Sequence, residues 1–417
     1  MSREYRGKIK FLTTRYSLLT TVVIMKKLSI KDLDIKNKKV LVRVDFNVPL
    51  SSTGEITDDT RIRAVLPTLD YILKQNGIAI LMSHLGKPKG VPNAKYSLKP
   101  IAKRLSDLIR KDVSFAEDCI GPTAQNVVDK TKPGDVILLE NLRFHPEEEK
   151  NETNFARSLA SLGELYVNDA FATAHRAHAS TEGITRYFDK PAAGFLMEKE
   201  IEYLSYVAES PKRPYVAIIG GAKITDKLGV IKNLLPKVDY LLLGGGLIFN
   251  FFKAQEYEIG NSIFEPEMLN EAKSLLTEKK IHLPVDVVIT DKIEANANTK
   301  LVKPNEIITG WAGVDIGPQS CKTYVEIIKN AQTIVWAGPI GVFEIDKFAN
   351  GSKEIGTAVA NATKSGATSV VGGGDTVACL AKFGLKDKIS FVSTAGGASL
   401  EFLEGKELPG ITALKDK

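Results

Sequence analysis

A chain of 417 residues is two to three times the usual domain length of about 100–200, and 43% hydrophobic with 25% charged residues supplies a core for each of two domains and excludes disorder. The formal charge is +6, but the first 24 residues hold five basic groups against Glu4 alone, which leaves +2 for the rest and excludes a global basic field for nucleic acid. Cys119, Cys321 and Cys379, far apart and odd in number, suit a reducing cytosol and argue against disulfides or a zinc site, and no apolar run approaches the ~20 residues that cross a bilayer.

Residues 1–24 are basic and end in the mixed stretch YSLLTTVVI before a second methionine, Met25, which opens a regular pattern. Arg15 shortens the apolar core that a secretory signal needs, and no small-x-small cleavage site follows. The first reading is a start-site extension; a targeting segment or an added structural arm are the alternatives.

From Lys39 onward short β-branched runs alternate with segments of helical period. KVLVRVDF (39–46) reads as a strand. Ile62, Val65, Leu66, Leu69, Ile72 and Leu73 then share one helical face, with Gly77 as the stop. Pro67 inside that pattern predicts a kink or a late start. The cycle continues with IAILMS (78–83), a helix near 98–110, DVILLE (135–140), a helix near 152–161 and ELYVNDA (164–170). Between Phe195 and Pro214 one helical stretch breaks the strand rhythm and reads as a connector at a domain boundary. Strands resume with YVAIIG (215–220), DYLLLG (239–244), PVDVVIT (284–290), TIVWAG (333–338), TSVVGG (368–373) and ISFVS (389–393). Continuous apolar strands alternating with helices predict an α/β protein of two doubly wound parallel-sheet (Rossmann-like) domains, with ligands at the carboxyl ends of the strands.

The two halves end their strands differently. In the first, strand ends carry Asp45 and Asn47, then His84 and Lys87, Arg143, and His175, Arg176 and His178, while Arg61 begins the first helix. Arginines and histidines brought to one sheet edge would make a pocket for phosphate or carboxylate, with Asp and Asn available to hydroxyls. His145 and His282 read as structural. In the second half the strand ends carry Gly220-Gly221, Gly244-Gly245-Gly246, Gly338 with Gly341, Gly372-Gly373-Gly374 and Gly396-Gly397. Backbone without Cβ at helix starts reads as a cradle for nucleotide phosphates. Neither G-x-x-x-x-G-K-[ST] nor G-x-G-x-x-G occurs, which weighs against a P-loop enzyme and a nicotinamide dehydrogenase. A nucleic-acid or surface-binding module would have to rest on the basic N-terminal arm.

Eight motifs in order carry a family resemblance: VDFNVP (44–49), SHLGKPKG (83–90), ENLRFHPEE (140–148), NDAFATAHRAHAS (168–180), IGGAKITDKL (219–228), VWAGPIGVFE (335–344), GGGDT (372–376) and STAGGASLEFLEG (393–405). From Met25 to the C-terminus the chain resembles phosphoglycerate kinase. The resemblance implies reversible phosphoryl transfer between 1,3-bisphosphoglycerate and ADP, with Mg2+, in a cytoplasmic monomer. It implies a 3-phosphoglycerate domain at 25–196, a connecting helix at 197–212, a nucleotide domain at 213–400 and a segment, 401–417, that returns to the first domain. Asp45, Asn47, Arg61, His84, Lys87, Arg143 and Arg176 would hold 3-phosphoglycerate. Gly221, Lys227, Gly245, Gly338, Glu344, Gly373, Gly374, Asp375 and Thr376 would serve the nucleotide, Asp375 holding the metal and Glu344 the ribose hydroxyls. Arg61, Lys223 and the backbone at Gly396 and Gly397 would neutralise the transferring group, and closure about a hinge would bring the ligands together. Two positions depart from the family pattern: Lys87 stands in place of an arginine, keeping charge without the planar fork, and Ala337 in place of an asparagine, which predicts one polar contact fewer near the nucleotide.

Overall fold

The computed structural model describes residues 26–417; the expectations for residues 1–24 fall outside them. The first half is a six-stranded parallel sheet made of β1 (Lys39–Arg43), β2 (Ile78–Met82), β3 (Val113–Ala116), β4 (Val136–Leu139), β5 (Leu165–Asn168) and β6 (Ala192–Ala193), in the order β3-β4-β2-β1-β5-β6. Its helices are α1 (Thr60–Lys74), α2 (Lys99–Ile109), α3 (Gly121–Val128), the short α4 (Pro146–Glu149) and α5 (Thr153–Ala160). Covered on both faces, β1, β2 and β4 are buried almost end to end, which is why they read as unbroken apolar runs. β3 is an edge strand of mixed exposure and gave no such run.

A single helix, α6 (Phe195–Glu209), leads into the second half. There a second parallel sheet combines β7 (Tyr215–Ile219), β8 (Tyr240–Leu243) and β9 (Ile281–His282) with three later strands. Between them, PVDVVIT contributes β10 (Val287–Thr290), which departs from expectation. It pairs antiparallel with β11 (Thr299–Val302) and β12 (Ala312–Ile316) in a separate three-stranded sheet. The short connection from Thr290 to Thr299 leaves no room for a crossover helix, so it closes a hairpin instead. The parallel sheet resumes with β13 (Thr333–Ala337), β14 (Thr368–Gly372) and β15 (Phe391–Val392), giving the order β15-β14-β13-β7-β8-β9. Helices α7 (Leu228–Leu234), α8 (Ile248–Ala254), α9 (Leu269–Leu275), α10 (Pro318–Lys329), α11 (Asn350–Lys364), α12 (Gly374–Lys382), α13 (Gly397–Leu403) and α14 (Pro409–Thr412) complete the chain. Strand order reverses at β1 in the first sheet and between β7 and β13 in the second, and these switch points open the crevices where ligands bind in such sheets.

α1 starts at Thr60 and contains Pro67, so the late start suggested by that proline does not occur. The ring forgoes one backbone bond, while Ile62, Val65, Leu69 and Ile72 hold the helix on the core. The stop also differs. Asn76, at φ 61°, takes the left-handed position, its N–H donates to Leu73 O, and that of Gly77 donates to Ile72 O, a Schellman closure with asparagine in the usual glycine place. Gly77 is required for another reason: a Cβ there would lie 2.6 Å from Ile35 Cγ2.

Three helices that lack a side-chain cap of their own borrow a carboxylate from elsewhere in the chain. Asp169 accepts from the N–H groups of Leu196 and Met197 at the start of α6. Asp286 accepts from Gln319 and Ser320 in α10, and Asp315 accepts from Gly351 in α11. The carboxylates reach these helix starts because glycine stands in front of them. A Cβ on Gly194 would lie 2.3 Å from Asp169 Cγ, and one on Gly317 would lie 2.3 Å from Asp286 Cγ.

The last residues return to the first half. Leu28 donates its N–H to Lys415 O at 2.7 Å, Gly410 donates to Ala174 O at 2.8 Å, and Lys417 pairs with Asp32 at 2.8 Å.

Candidate active site

Four loops at the carboxyl ends of β1, β2, β4 and β5 meet at the first switch point. Asp45 and Asn47 follow β1, His84 and Lys87 follow β2, Arg143 sits on the 3-10 turn after β4, and Arg176 follows β5. Together with Arg61, they line one cleft of about 210 Å³ whose far side includes Ala395, Gly396 and Gly397 from the second half.

Polar contacts preset this cleft. Arg61 Nη1 donates to Asp45 Oδ2 at 2.7 Å and to Asn47 O at 3.2 Å. Asn47 Oδ1 accepts from the Gly86 N–H at 2.8 Å, and Arg143 Nη1 donates to Gly86 O at 3.0 Å. Arg143 Nε lies 3.2 Å from Glu149 Oε1, but it lacks the alignment of a hydrogen bond and has no other partner, so we count this contact as charge attraction alone. Burial lowers the Arg143 pKa from its ordinary value, although a guanidinium remains charged. Lys87 and Arg176 are exposed.

The histidines differ from the cationic set expected of them. Burial, reinforced by Arg43, Arg143 and Arg61, holds the pKa of His84 well below the ordinary value. Burial, with Arg43, Arg143 and Arg176, pushes His178 down to about 3. Both are neutral at pH 7, so the anion field comes from arginine and Lys87, and His84 offers a hydrogen bond rather than a charge.

Residue-type reasoning missed the groups behind these side chains. Arg43 is fully buried at the end of β1. Its Nε donates to Ser180 Oγ at 2.8 Å, its Nη1 donates to Val44 O, and its Nη2 lies 3.3 Å from His84 Nδ1. Because guanidinium only donates, His84 Nδ1 must accept and its proton must sit on Nε2. Ser180 passes the contact on, donating from Oγ to Glu148 Oε1 at 2.6 Å. Asn141, also missed, staples two loops: its Oδ1 accepts from Leu85 and Arg143 N–H groups, and its Nδ2 donates to Leu85 O and Tyr96 O. One signal was available, since an arginine inside the apolar run KVLVR has to be paired when buried.

At the second switch point a pocket of about 250 Å³ is lined by Gly221, Gly245, Glu344 and Asp375 among others. Lys227, Gly338, Gly373, Gly374 and Thr376 stand outside its lining, and Lys223 lines neither cleft. Thr376 is buried, and its Oγ1 accepts from the Gly338 N–H at 2.7 Å, so its hydroxyl braces the loop instead of facing the pocket. Lys227 is half-buried, and burial lowers its pKa against the opposing pull of Asp226, Asp375 and Glu404. Asp375 lies in the first turn of α12 and, among the described residues, its carboxylate makes no hydrogen bond or ion pair. Ala337 is wholly buried in the core on β13. Its side chain does not line the pocket.

The glycines fall into two groups. A Cβ on Gly220 would lie 2.1 Å from Pro339 O, one on Gly338 would lie 2.1 Å from Gly220 O, and one on Gly245 would lie 2.5 Å from Gly221 O. These residues let the ends of β7, β8 and β13 pack backbone against backbone, a structural need that the phosphate reading had absorbed. Gly374, Gly396 and Gly397 would meet nothing within 4 Å, so their backbone is open to approach.

A roomier hollow, about 900 Å³ beside Asp58, Asp59 and Arg104, is not this site. There Asp59 is already paired, 2.7 Å from Arg104 and 2.8 Å from Arg63.

A socket for a small anion at the edge of one α/β sheet, with Gly396 and Gly397 of the second half on its far side and a separate glycine-edged pocket on the second sheet, is the layout of a two-domain phosphotransferase, where positioning and charge do most of the chemistry. The chain belongs to the phosphoglycerate kinase family. A sequence model described as phosphoglycerate kinase matches residues 30–406. Phosphoglycerate kinase of Chloroherpeton thalassium is 54% identical over 397 residues, covering 94% of this chain and 100% of that protein. The cytosolic phosphoglycerate kinase of Nicotiana tabacum is 53% identical over 393 residues, covering 93% and 98%. Among solved structures, phosphoglycerate kinase from Coxiella burnetii superposes with a TM-score of 0.85 at 42% identity, covering 93% of this chain and 98% of that one. The enzyme is therefore a kinase that transfers a phosphoryl group reversibly to a carboxyl acceptor, as its family does in glycolysis. No helix among the described residues is long and apolar enough to cross a membrane.

Proposed function

We propose that the two substrates of this reaction are divided between the two crevices: 3-phosphoglycerate or 1,3-bisphosphoglycerate in the first, ADP or ATP in the second. The single observation that supports this most is the convergence of Arg61, Lys87, Arg143 and Arg176, from four separate segments, on a cleft that also takes in Gly396 and Gly397. Arg143 and Arg176 hold the anion, while Asp45, Asn47 and the Nε2–H of His84 take its hydroxyl and carboxyl oxygens. Lys87 contributes charge without bidentate geometry. Arg61 and Lys223 neutralise the equatorial oxygens of the transferring group in an in-line transfer, with N–H groups at Gly396 and Gly397 completing the shell.

Lys227 and the backbone at Gly221, Gly373 and Gly374 serve the nucleotide phosphates, and Glu344, exposed at the pocket rim, takes the ribose hydroxyls. A kinase of this family implies a divalent metal, and Asp375 fits a hard cation: it is an exposed oxygen donor, uncommitted among the described residues, at the edge of the pocket. Mg2+, when bound, offsets charge on the nucleotide phosphates.

The domains are 25–196 for the acid, 197–212 for the connecting helix, 213–400 for the nucleotide and 401–417 returning to the first. Hinge closure between them excludes water from the acyl phosphate. The protein is a cytoplasmic monomer in which residues 1–24 play no part in the chemistry. A coupled assay of ATP-dependent phosphorylation of 3-phosphoglycerate, run with and without residues 1–24, tests this. Equal turnover of both forms is expected, and loss of activity on trimming would make the arm part of the machinery.

A further inference from the structure

We propose that Asp118, Cys119 and His145 form a site for one borderline divalent cation of the zinc class, outside the phosphoryl-transfer cleft. Asp118 and Cys119 lie in the loop between β3 and α3, and His145 lies in the turn that enters α4. His145 Nε2 is 2.7 Å from Asp118 Oδ1, and one donor atom from each of the three residues lies within 4.8 Å of the others. A tetrahedral ion with bonds of about 2.0–2.3 Å sets its ligands roughly 3.3–3.8 Å apart. The site is therefore within an ångström or so of the required spacing, with the His145–Asp118 contact opening and the thiolate drawing in.

The surroundings favour a cation. A hollow of about 430 Å³ opens over Asp118 and His145, and its wall also carries Glu117 and Glu140 but no lysine or arginine. Lys99 approaches Glu117 only at 3.5 Å, and both are exposed. Cys119 is 1% exposed, and burial first, then Asp118 and Glu148, pushes its thiol well above the ordinary range. A positive ion answers the same negative field that disfavours an isolated thiolate. Asp118 and His145 line the open hollow while Cys119 lies behind them, and three protein donors beside that opening leave the fourth position to water. A mixed N, O and S set selects zinc-class ions over magnesium, so the site is chemically distinct from the carboxylate of Asp375. The simpler alternative, a His145–Asp118 ion pair with Cys119 as core filling, leaves the sulfur uninvolved, and that difference is measurable. The wide spacing of the three cysteines concealed the site from sequence reasoning, because its histidine and carboxylate come together only in the fold.

The experiment is an anaerobic Co2+ titration of the reduced, metal-free full chain. One equivalent should produce a thiolate-to-cobalt charge-transfer band together with the visible bands of four-coordinate cobalt. Zn2+ should remove both, and excess Mg2+ should not. Cys119→Ser should abolish the charge-transfer band while kinase turnover stays at the parent value. Cys321→Ser and Cys379→Ser should leave the band intact. His145→Gln and Asp118→Asn should each weaken cobalt binding by at least the roughly tenfold that loss of even an outer partner costs a metal site. No band with the parent protein, or a band that survives Cys119→Ser, overturns the proposal. Where Cys119→Ser fails to fold, His145→Gln decides by the same titration, and unchanged cobalt affinity overturns it.

Discussion

Lys223 and Lys227 stand one helical turn apart in sequence after β7 yet meet different surroundings. Lys227 is half-buried near Gly221, within the fields of Asp226, Asp375 and Glu404. Lys223 is exposed and, among the described residues, makes no ion pair or hydrogen bond. A cation with no ground-state partner is free to meet charge that develops only during transfer, and such an interaction raises turnover without tightening the ground state. Lys223→Ala should therefore lower kcat by about 10²–10³ with nucleotide Kd nearly unchanged, as read by steady-state kinetics beside nucleotide titration. A variant that binds poorly and turns over normally would reverse the assignment. The histidines yield a second prediction. His178 is held at about 3 in the fold against about 6.5 in an unfolded chain. As pH falls from 6.5 toward 3, the unfolded state takes a proton that the fold refuses, and stability is lost. His178→Gln removes this contribution, so the urea-unfolding free energy of the parent, relative to the variant, should decline below pH 6.5 and stay level above it.

Among the elements, a recurrent device is the borrowed cap. α6, α10 and α11 have no side-chain cap of their own, and each receives a buried carboxylate from a residue distant in sequence. The pairing of Asp286 with Gly317 makes it testable. Asp286→Ala should cost about 0.5–2 kcal/mol, the usual range for a lost N-cap. Gly317→Ala should cost a similar amount by displacing the same carboxylate, and the double variant should cost clearly less than the two combined, all from urea unfolding. Additive losses would mean that the two residues act independently. Much at this scale was legible in the sequence: the strands from KVLVR to TSVVG, the helix over Ile62–Leu73 and the connector after Phe195 follow from apolar periodicity. The edge strand β3, the hairpin sheet of β10 to β12 and the Schellman turn at Asn76 were not, because each depends on which neighbour happens to pair.

In the whole molecule, two contacts join what the sequence separates. The C-terminal segment seats Gly410 against Ala174, two residues before Arg176, and a Cβ on Gly410 would lie 2.8 Å from Ala174 Cα. On α6, buried Glu200 accepts from the N–H of Thr394 at 3.1 Å, two residues before Gly396, while its Oε2 has no partner. Burial raises the Glu200 carboxyl to about 7 despite the hydrogen bonds from Ser393 and Thr394 that oppose it. Since the unfolded carboxyl titrates near 4.5, the fold holds the proton longer, so this contribution is intact below 4.5 and is lost as pH rises through 7. Glu200→Gln should flatten that segment of the stability profile, narrowing the difference in thermal midpoint between pH 5 and pH 8; an unchanged profile would assign the slope to other groups.

The motif strings carried the family and with it Asp375, while the local chemistry of strand ends pointed to Asp45, Arg143 and Arg176, because residue type and position at the end of an apolar run are local properties. What only the tertiary structure decided is how each group is surrounded. It made His84 and His178 neutral, turned Thr376 inward, set Gly220 and Gly338 to packing instead of ligand approach, and placed Arg43, Ser180 and Glu148 behind the site. Charge state and hydrogen-bond partner are set by desolvation and by neighbours a few ångströms away, and in a doubly wound sheet those neighbours come from loops tens to hundreds of residues apart.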